Sequence, residues 1–329
     1  MSFNSNRLNI DPQQETERLV TKLKQVVRQG MRRYGGVLGV SGGVDSSVVL
    51  ALCVRAFGPQ NVVALLLPEK DSDPESERLA RLVASCYGVE PILESITPVL
   101  DGFGCYPRRD EAIRRVFPEY DAAAGYKAKI VLPQNLLDED TLNFFSLTII
   151  TPEGEEKTQR LAPRDYMQIV AASNFKQRTR MAMLYYHAEL RNYAVIGTAN
   201  KNEHNQGFFV KHGDGGADVF PILHLYKTQV YRLAEYLDVP EEIRSRPPTS
   251  DTYSAPATQE EFFFRLPFEL MDRLWAAQAQ GATAAEAAEE TGLTEIQVQR
   301  AFQDFSRKQR TTDYLRSAPI SFPFDDGTA

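Results

Sequence analysis

From Gly35 to Leu50 the chain reads Gly-Gly-Val-Leu-Gly-Val-Ser-Gly-Gly-Val-Asp-Ser-Ser-Val-Val-Leu, an apolar strand passing through Ser41-Gly42-Gly43-Val44-Asp45-Ser46-Ser47 into an apolar helix. A turn of this kind suits an anion. Glycines let the backbone come close, serine hydroxyls and the free amides of the helix start donate hydrogen bonds, and the helix dipole adds positive potential. It is not a Walker A loop, which needs a Gly-Lys-Ser/Thr run; here Asp45 stands among the glycines and the loop has no lysine. A carboxylate beside polyphosphate is repelled unless a divalent cation lies between them, so Asp45 implies magnesium. The plain alternative is a glycine-rich turn that binds nothing.

The surrounding pattern predicts an α/β fold with a doubly wound, mostly parallel sheet, interrupted by a small inserted β element and followed by a helical tail. A first helix is expected over 13–34, with Leu19, Leu23, Val26, Val27 and Met31 inward. Strand 36–40, helix 45–57, strand 61–67, helix 73–87 and a short strand near 91–96 then alternate. A long helix from about 174 to 191 precedes another apolar strand, Tyr193–Gly197, and a second loop, Thr198–Glu203. The chain divides into 1–100 (first half of the α/β domain), 101–170 (insertion), 171–255 (second half) and 256–329 (helical tail). Within the insertion, Leu142, Phe144, Leu147 and Ile149 ahead of Thr151-Pro152-Glu153-Gly154 suggest a strand and hairpin, while Arg108, Arg109, Arg114 and Arg115 lie in a charged helical segment.

Composition narrows the partners. A net charge of −7 over 329 residues argues against a broad nucleic-acid surface, which needs clustered Lys and Arg. The tail nevertheless has the form of a helix-turn-helix, 283–291, Gly292 and 294–308, with Arg300, Arg307, Lys308 and Arg310 on or after its second helix; a packed helical hairpin is the competing reading. No stretch approaches the ~18 apolar residues of a membrane span, and no signal-peptide core opens the chain, so no membrane partner and a cytoplasmic location are expected. Cys53, Cys86 and Cys105 lack metal spacing; the first two fall in apolar helical patterns and are expected in the core. His204, His212 and His224 are too irregular for a zinc site. Both ends are expected to be loose.

Between Gly197 and Val230 a second group of motifs appears. The chain carries Gly197-Thr198-Ala199-Asn200-Lys201-Asn202-Glu203, Lys211-His212-Gly213-Asp214-Gly215-Gly216-Ala217-Asp218 and Leu225-Tyr226-Lys227-Thr228-Gln229-Val230, preceded by Asn174-Phe175-Lys176-Gln177-Arg178-Thr179-Arg180-Met181 and followed by Pro247-Pro248-Thr249-Ser250-Asp251. The first loop resembles the pyrophosphate loop of the ATP pyrophosphatases, and the ordered set resembles the ammonia-dependent type of the NAD synthetase family over residues 15–100 and 170–255. That resemblance implies ATP as co-substrate, with Ser41, Gly42, Gly43, Val44, Ser46 and Ser47 around its phosphates and Thr198, Lys227 and Thr249 in contact with it. It implies magnesium on Asp45 and Glu203, deamido-NAD bound by Lys211 and Asp218, and a homodimer in which Arg178 reaches the partner's substrate. Asp45, Lys211 and Lys227 are the implied catalytic residues.

The implied reaction has two steps: the nicotinate carboxylate attacks the α-phosphate to give an acyl-adenylate, and ammonia then displaces AMP. The chemistry suits the residues. A carboxylate is inert to ammonia because oxide leaves poorly, and adenylation supplies a good leaving group; stabilising the phosphoryl transfer calls for metal, lysine and oriented amides rather than a covalent nucleophile. No glutaminase segment precedes the loop, which points to free ammonia. Two other readings stay open: a paralogue amidating another carboxylate, and a nucleotide-binding regulator with a DNA-reading tail. Taken singly, Glu203 also reads as a solvated loop acid, Asp218 as a helix cap, and Arg178 and Arg180 as an exposed face. The chain departs from the family at its end, where Tyr314 and Leu315 stand in place of a His-Lys pair. The four arginines of the insertion are the candidates to supply the missing charge.

Overall fold

The computed structural model describes residues 8–133, 136–139, 144–249 and 252–322. Of the ends expected to be loose, the first dozen residues and 325–329, residues 1–7 and 325–329 lie outside the described residues, as do Leu142, Ser250 and Asp251, whereas Leu8 is buried with its C=O accepting from Gln229 and Arg232. Helix α1 (Pro12–Leu23) is capped by the Asp11 carboxylate on the Gln13 and Gln14 amides. It continues as a π-helical segment over Lys24–Gly30, so the helix expected to reach residue 34 ends earlier. Leu19, Leu23 and Val27 are buried as expected, but Val26 and Met31 are exposed. The wider turn is the cause: Met31 N–H bonds back to Val26 C=O, five residues away, and this shifts the phase of the apolar stripe.

Strand β1 (Gly36–Gly39) runs through the glycine loop into α2 (Val44–Phe57), and β2 (Val62–Leu66) into α3 (Pro74–Cys86), followed by β3 (Ile92–Leu93). Next come α4 (Thr97–Gly102), α5 (Cys105–Val116), β4 (Lys127–Val131), β5 (Ser146–Ile150) and β6 (Glu156–Arg160). Helix α6 (Pro163–Arg191) leads to β7 (Ala194–Val195), α7 (Lys201–Gln206), α8 (Lys227–Tyr236) and α9 (Glu241–Arg244). The tail is α10 (Phe268–Ala279), α11 (Ala284–Thr291), α12 (Glu295–Thr311) and α13 (Asp313–Arg316).

The central sheet has the order β3-β2-β1-β7, with parallel pairing throughout. Successive side chains of a strand point to opposite faces. Leu38, Ala64 and Leu66 accordingly pack with α1, α2, α3 and α8. Val37, Leu65 and Val195 pack on the other face with Met181, Leu184 and Ala188 of α6. With both faces covered, the strands read as continuous apolar runs. The chain order reverses at β1, with β2 on one side and β7 on the other, so the glycine loop opens at the switch point where open α/β sheets bind ligands.

Two expectations need correction here. Helix α6 starts at Pro163, in the first-turn position that proline favours, rather than near 174, and spans 29 residues. Cys86 is exposed: the inward face of α3 is Leu79, Ala80, Val83 and Ala84, which turns position 86 outward. Cys53 is buried as expected.

The insertion contains an antiparallel sheet, β4-β5-β6, with β5 and β6 joined by the expected turn at Thr151–Glu155. Its inner residues Ile130, Leu147 and Ile149 share a core with Ala112 and Ile113 of α5 and Ile169 of α6. A buried ionic cluster ties this unit to the central sheet. Arg109 on α5 pairs with Asp71, beyond β2, and with Asp110 at 2.8 Å, while Lys176 on α6 binds Asp71 at 2.8 Å and Glu69 at 2.9 Å.

In the tail, the two helices expected around Gly292 are present, and Gly292 ends α11 in the left-handed region with φ 75°. They pack through Val298, Ala301 and Phe305 onto Leu274, Trp275 and Ala277 of α10. The basic residues of α12 are mostly turned toward the protein: Lys308 is buried on Asp304 at 2.8 Å and Phe263 C=O at 2.7 Å, and Arg300 donates to Leu137 C=O at 2.8 Å. The packed hairpin therefore accounts for this segment better than a DNA reader.

Replacing Arg109 with alanine would leave Asp71 short of a cation in a site where both side chains are under a tenth exposed. Breaking such a buried pair from one side costs about 3–5 kcal/mol, so Arg109→Ala is expected to lower the urea midpoint accordingly. An unchanged midpoint would show that the cluster does not hold the insertion in place.

Candidate active site at the carboxyl edge of the sheet

A cavity of about 990 Å³ opens at the carboxyl ends of β1 and β7, at the upper end of the roughly 300–1,000 Å³ usual for ligand sites. Its floor is the glycine loop. Gly42 has φ +74°, and a Cβ there would lie 2.7 Å from Ser76 C=O and 2.8 Å from Leu79 Cβ of α3, so glycine is required on both counts. Gly43 is the extended N-cap of α2, and its C=O accepts from Ser46 Oγ at 3.0 Å and Ser47 Oγ at 2.8 Å. The first amides of α2 have no intrahelical partner, and the residues that bear them, Val44, Asp45 and Ser46, line the cavity, as an anion site requires.

Above the floor three charged side chains converge. Asp45, at the start of α2, pairs with Lys227, the first residue of α8, and accepts from Asn200 Nδ2 at 3.0 Å. Asn200 caps α7, and Glu203 completes the capping box by accepting the Asn200 amide. Glu203 is therefore not a solvated loop acid: it faces the cavity and also accepts from Gln259 Nε2 at 3.3 Å. Burial first, and then the Asp45 charge, raise the Glu203 carboxyl well above the usual carboxylate range. Burial alone would depress the Lys227 ammonium, but Asp45 and Glu203 outweigh it and hold its pKa above the ordinary lysine value.

Most of the residues expected around ATP come together here. Ser41, Gly42, Gly43, Val44, Asp45, Ser46, Thr198, Glu203, Lys227 and Thr249 all line the cavity. Ser47 is fully buried beneath it, its hydroxyl bonded to the loop.

The residues expected on the second substrate sit differently. Asp218 gives one oxygen to Val195 N–H at 2.8 Å and the other to Tyr185 Oη at 2.9 Å, tying β7 to α6 rather than capping a helix. Lys211 donates to Tyr314 C=O at 2.7 Å and Ser317 C=O at 2.9 Å, and Arg178, exposed on α6, donates to Lys211 C=O at 3.3 Å. Tyr314 and Leu315 line the cavity, so the segment where a His-Lys pair was expected forms part of its wall and has the Lys211 ammonium against its backbone. Arg108, Arg109, Arg114 and Arg115 do not reach it. Arg109 is taken by Asp71 and Asp110, Arg115 by Asp165 and Glu111, and Arg108 by Phe103 C=O. The expectation that these arginines supply the missing charge is corrected.

Other lining groups were not singled out from the sequence. Asp214 lines the cavity and accepts Val210 N–H at 2.8 Å, and burial raises its carboxyl to about 6. It lies inside a motif already quoted, and its glycine neighbours were the available signal. Lys176, 1% exposed, also reaches the cavity wall; nothing local in sequence pairs it with Glu69 and Asp71.

Can the acids hold magnesium? Two carboxylates and one ammonium meet at a point that faces free volume, and Mg2+ commonly takes one or two carboxylates and completes its octahedron with phosphate oxygens and water. The donor set fits, with the Lys227 ammonium occupying the cationic position beside Asp45.

A parallel α/β sheet with this loop at its switch point defines the adenine nucleotide alpha hydrolase-like class of ATP-using proteins. The NAD synthase family model matches residues 15–115 and 135–317, and the chain belongs to that family. It is similar to the NH(3)-dependent NAD(+) synthetase of Rhizobium meliloti strain 1021, with 50% identity over 317 residues, covering 96% of this chain and 94% of that one. The NH(3)-dependent NAD(+) synthetase of Thermotoga neapolitana is 34% identical over 310 residues, covering 92% and 97%. Among solved structures, the fold is similar to an NH3-dependent NAD synthetase from Campylobacter jejuni (TM-score 0.62, 23% identity, 95% of this chain and 100% of that one) and to an NMN synthetase from Francisella tularensis (TM-score 0.61, 22% identity, 96% and 100%).

Gly42→Ala is expected to strain the loop and push it off α3, lowering stability by about 1–3 kcal/mol and weakening nucleotide binding. Thermal melts with and without ATP check this. A variant as stable and as well stabilised by ATP as the parent would refute the loop assignment.

Proposed function

We propose that this chain is an ammonia-dependent NAD synthetase, converting deamido-NAD, ATP and ammonia into NAD, AMP and pyrophosphate. The observation that supports it most directly is the Asp45–Lys227–Glu203 cluster directly above the glycine loop, in a chain of the NAD synthase family.

The glycine loop cradles the phosphates with backbone amides and the Ser41 and Ser46 hydroxyls, and Thr198 and Thr249 contact the nucleotide. Lys227 neutralises charge on the phosphates and supports its growth as the α-phosphorus is attacked, which is electrostatic work by a preorganised site. Asp45 and Glu203 would hold magnesium, whose charge offsets that of the departing pyrophosphate. The nicotinate carboxylate attacks the α-phosphorus in line, and pyrophosphate leaves. Ammonia then adds to the acyl carbon of the adenylate, and AMP departs. Lys211 and Asp218 are assigned to deamido-NAD: Lys211 through the wall it shares with Tyr314, Asp218 by fixing β7 and Tyr185.

The same reading includes a homodimer. Arg178, Ala182, Tyr186 and Leu190 are all exposed and follow one another at four-residue intervals on α6, with Tyr186 and Leu190 more than half exposed. A helix face of this kind suits a second copy, which would carry Arg178 to the neighbouring substrate. Dependence on ATP, and the absence of any helix among the described residues long and apolar enough to cross a membrane, accord with a cytoplasmic enzyme.

Pyrophosphate and AMP release should appear with deamido-NAD and ammonium and not with a panel of other carboxylic acids. Asp45→Asn and Lys227→Met should each reduce kcat by roughly 10²–10³-fold. ADP as product, or turnover only with another acid, would overturn the reading. Light scattering should give about twice the 37.0 kDa chain mass, and Tyr186→Asp with Leu190→Glu should yield monomers; a monomeric parent protein would remove the dimer.

A further inference from the structure

The helical tail is not only a buttress, because one of its acids reaches the two helices that carry the site. Asp272 on α10 has no exposed surface. One of its oxygens accepts from Asn202 Nδ2, and the other accepts the Thr228 N–H at 2.8 Å. Asn202 in turn accepts the Lys227 N–H at 3.3 Å. These are the first two amides of α8, which have no partner inside the helix. Asn202 immediately precedes Glu203 on α7, and Lys227 opens α8.

A carboxylate buried at this depth is costly unless its hydrogen bonds are made, and here two donors from two different helices make them. The arrangement removes freedom where it matters. Lys227 has no exposed surface and must meet Asp45 from a fixed helix start, and Glu203 must face the same point from another short helix. A contact that fixes α7 against α8 fixes Lys227 relative to Glu203, and Asn200, the cap of α7, donates to Asp45 and so ties α2 to the same start.

We propose that Asp272 is a positioning residue for the phosphoryl-transfer step: it joins the starts of α7 and α8 from the tail, and so holds Lys227 and Glu203 in register over Asp45. It touches no substrate, and its effect passes through Lys227 and Glu203. The inference rests on the ATP-dependent reading given above.

The test uses the full chain and pyrophosphate release with deamido-NAD, ammonium and magnesium-ATP. Asp272→Asn, which keeps the shape and one accepting oxygen, is expected to lower kcat about tenfold. Asp272→Ala is expected to lower it about a hundredfold, the loss that a ~1 Å misplacement can bring. KM for deamido-NAD should stay within twofold in both. Leu274→Ala, a buried change on the same helix that touches neither α7 nor α8 through a polar group, should lower the melting temperature while leaving kcat within twofold. In a Lys227→Met background, Asp272→Asn should cost less than twofold more, because residues acting as one unit are not additive.

A kcat within twofold of the parent in both Asp272 variants would overturn the proposal. So would a loss that multiplies in full with that of Lys227→Met, since it would show a general structural effect. If Asp272→Ala does not fold, Asp272→Asn and Asn202→Ala carry the same comparison. Failure of the underlying reading looks different: the parent protein itself would then release no pyrophosphate from deamido-NAD. In that event, calorimetric binding of a non-hydrolysable ATP analogue with magnesium decides, with weaker binding by Asp272→Asn supporting the proposal and unchanged binding overturning it.

Discussion

Two carboxylates and a polyphosphate cannot share a site unless positive charge is fixed among them. Asp45 and Glu203 come from different parts of the chain, one at the start of α2 and one in α7, and burial together with the Asp45 charge disfavours the ionised form of Glu203. Lys227 is the protein's own contribution to the balance, buried and held above its ordinary proton affinity by the same acids. Much of the second half of the fold serves to bring this lysine to that point. Strand β7 beside β1, the Asn200 cap, the start of α8 and the packing of the tail all converge there.

Beyond this cluster the cavity is lined by further charged side chains, among them Glu69, Lys176, Arg180, Asp214 and Arg246. Charges in a partly dry site act more strongly than in water, so each of these groups counts for more than it would on an open surface. One part of the wall is apolar and aromatic, drawn from the insertion and the tail, including Phe145, Tyr166, Phe262 and Phe263. Phe145 and Tyr166 stack at 4.2 Å, which gives that side of the cavity a flat face. The insertion is thereby part of the same chemical space as the loop, and the Arg109–Asp71–Lys176 cluster joins the two.

What could be read from the sequence was what depends on neighbours along the chain. The strand, glycine loop and helix from Gly36 to Phe57 are local, and so are the Thr198–Glu203 and Leu225–Val230 motifs; their residue types state their chemistry. The π-helical segment at Lys24–Gly30 is not legible in the sequence because an apolar stripe of period 3.6 and one that slips after two turns differ by only a few positions. The start of α6 is not legible in the sequence because the charged and mixed segment 163–173 gains its helical phase from packing against α5 and the inserted sheet. Asp272 was invisible for another reason. On an amphipathic helix a lone acid reads as surface, and only tertiary contact shows that it points inward. The same holds for Arg109, whose partner is 38 positions away in the chain.

The hold of Lys211 on the end of the chain has a particular character. Its ammonium engages the carbonyls of Tyr314 and Ser317, groups that every residue possesses, and Arg316 likewise grips the carbonyls of His204, Asn205 and Gln309. A fastening made to main chain is blind to the side chains it fastens. The terminal segment can therefore exchange what it displays toward the cavity without coming undone, which separates selectivity from attachment.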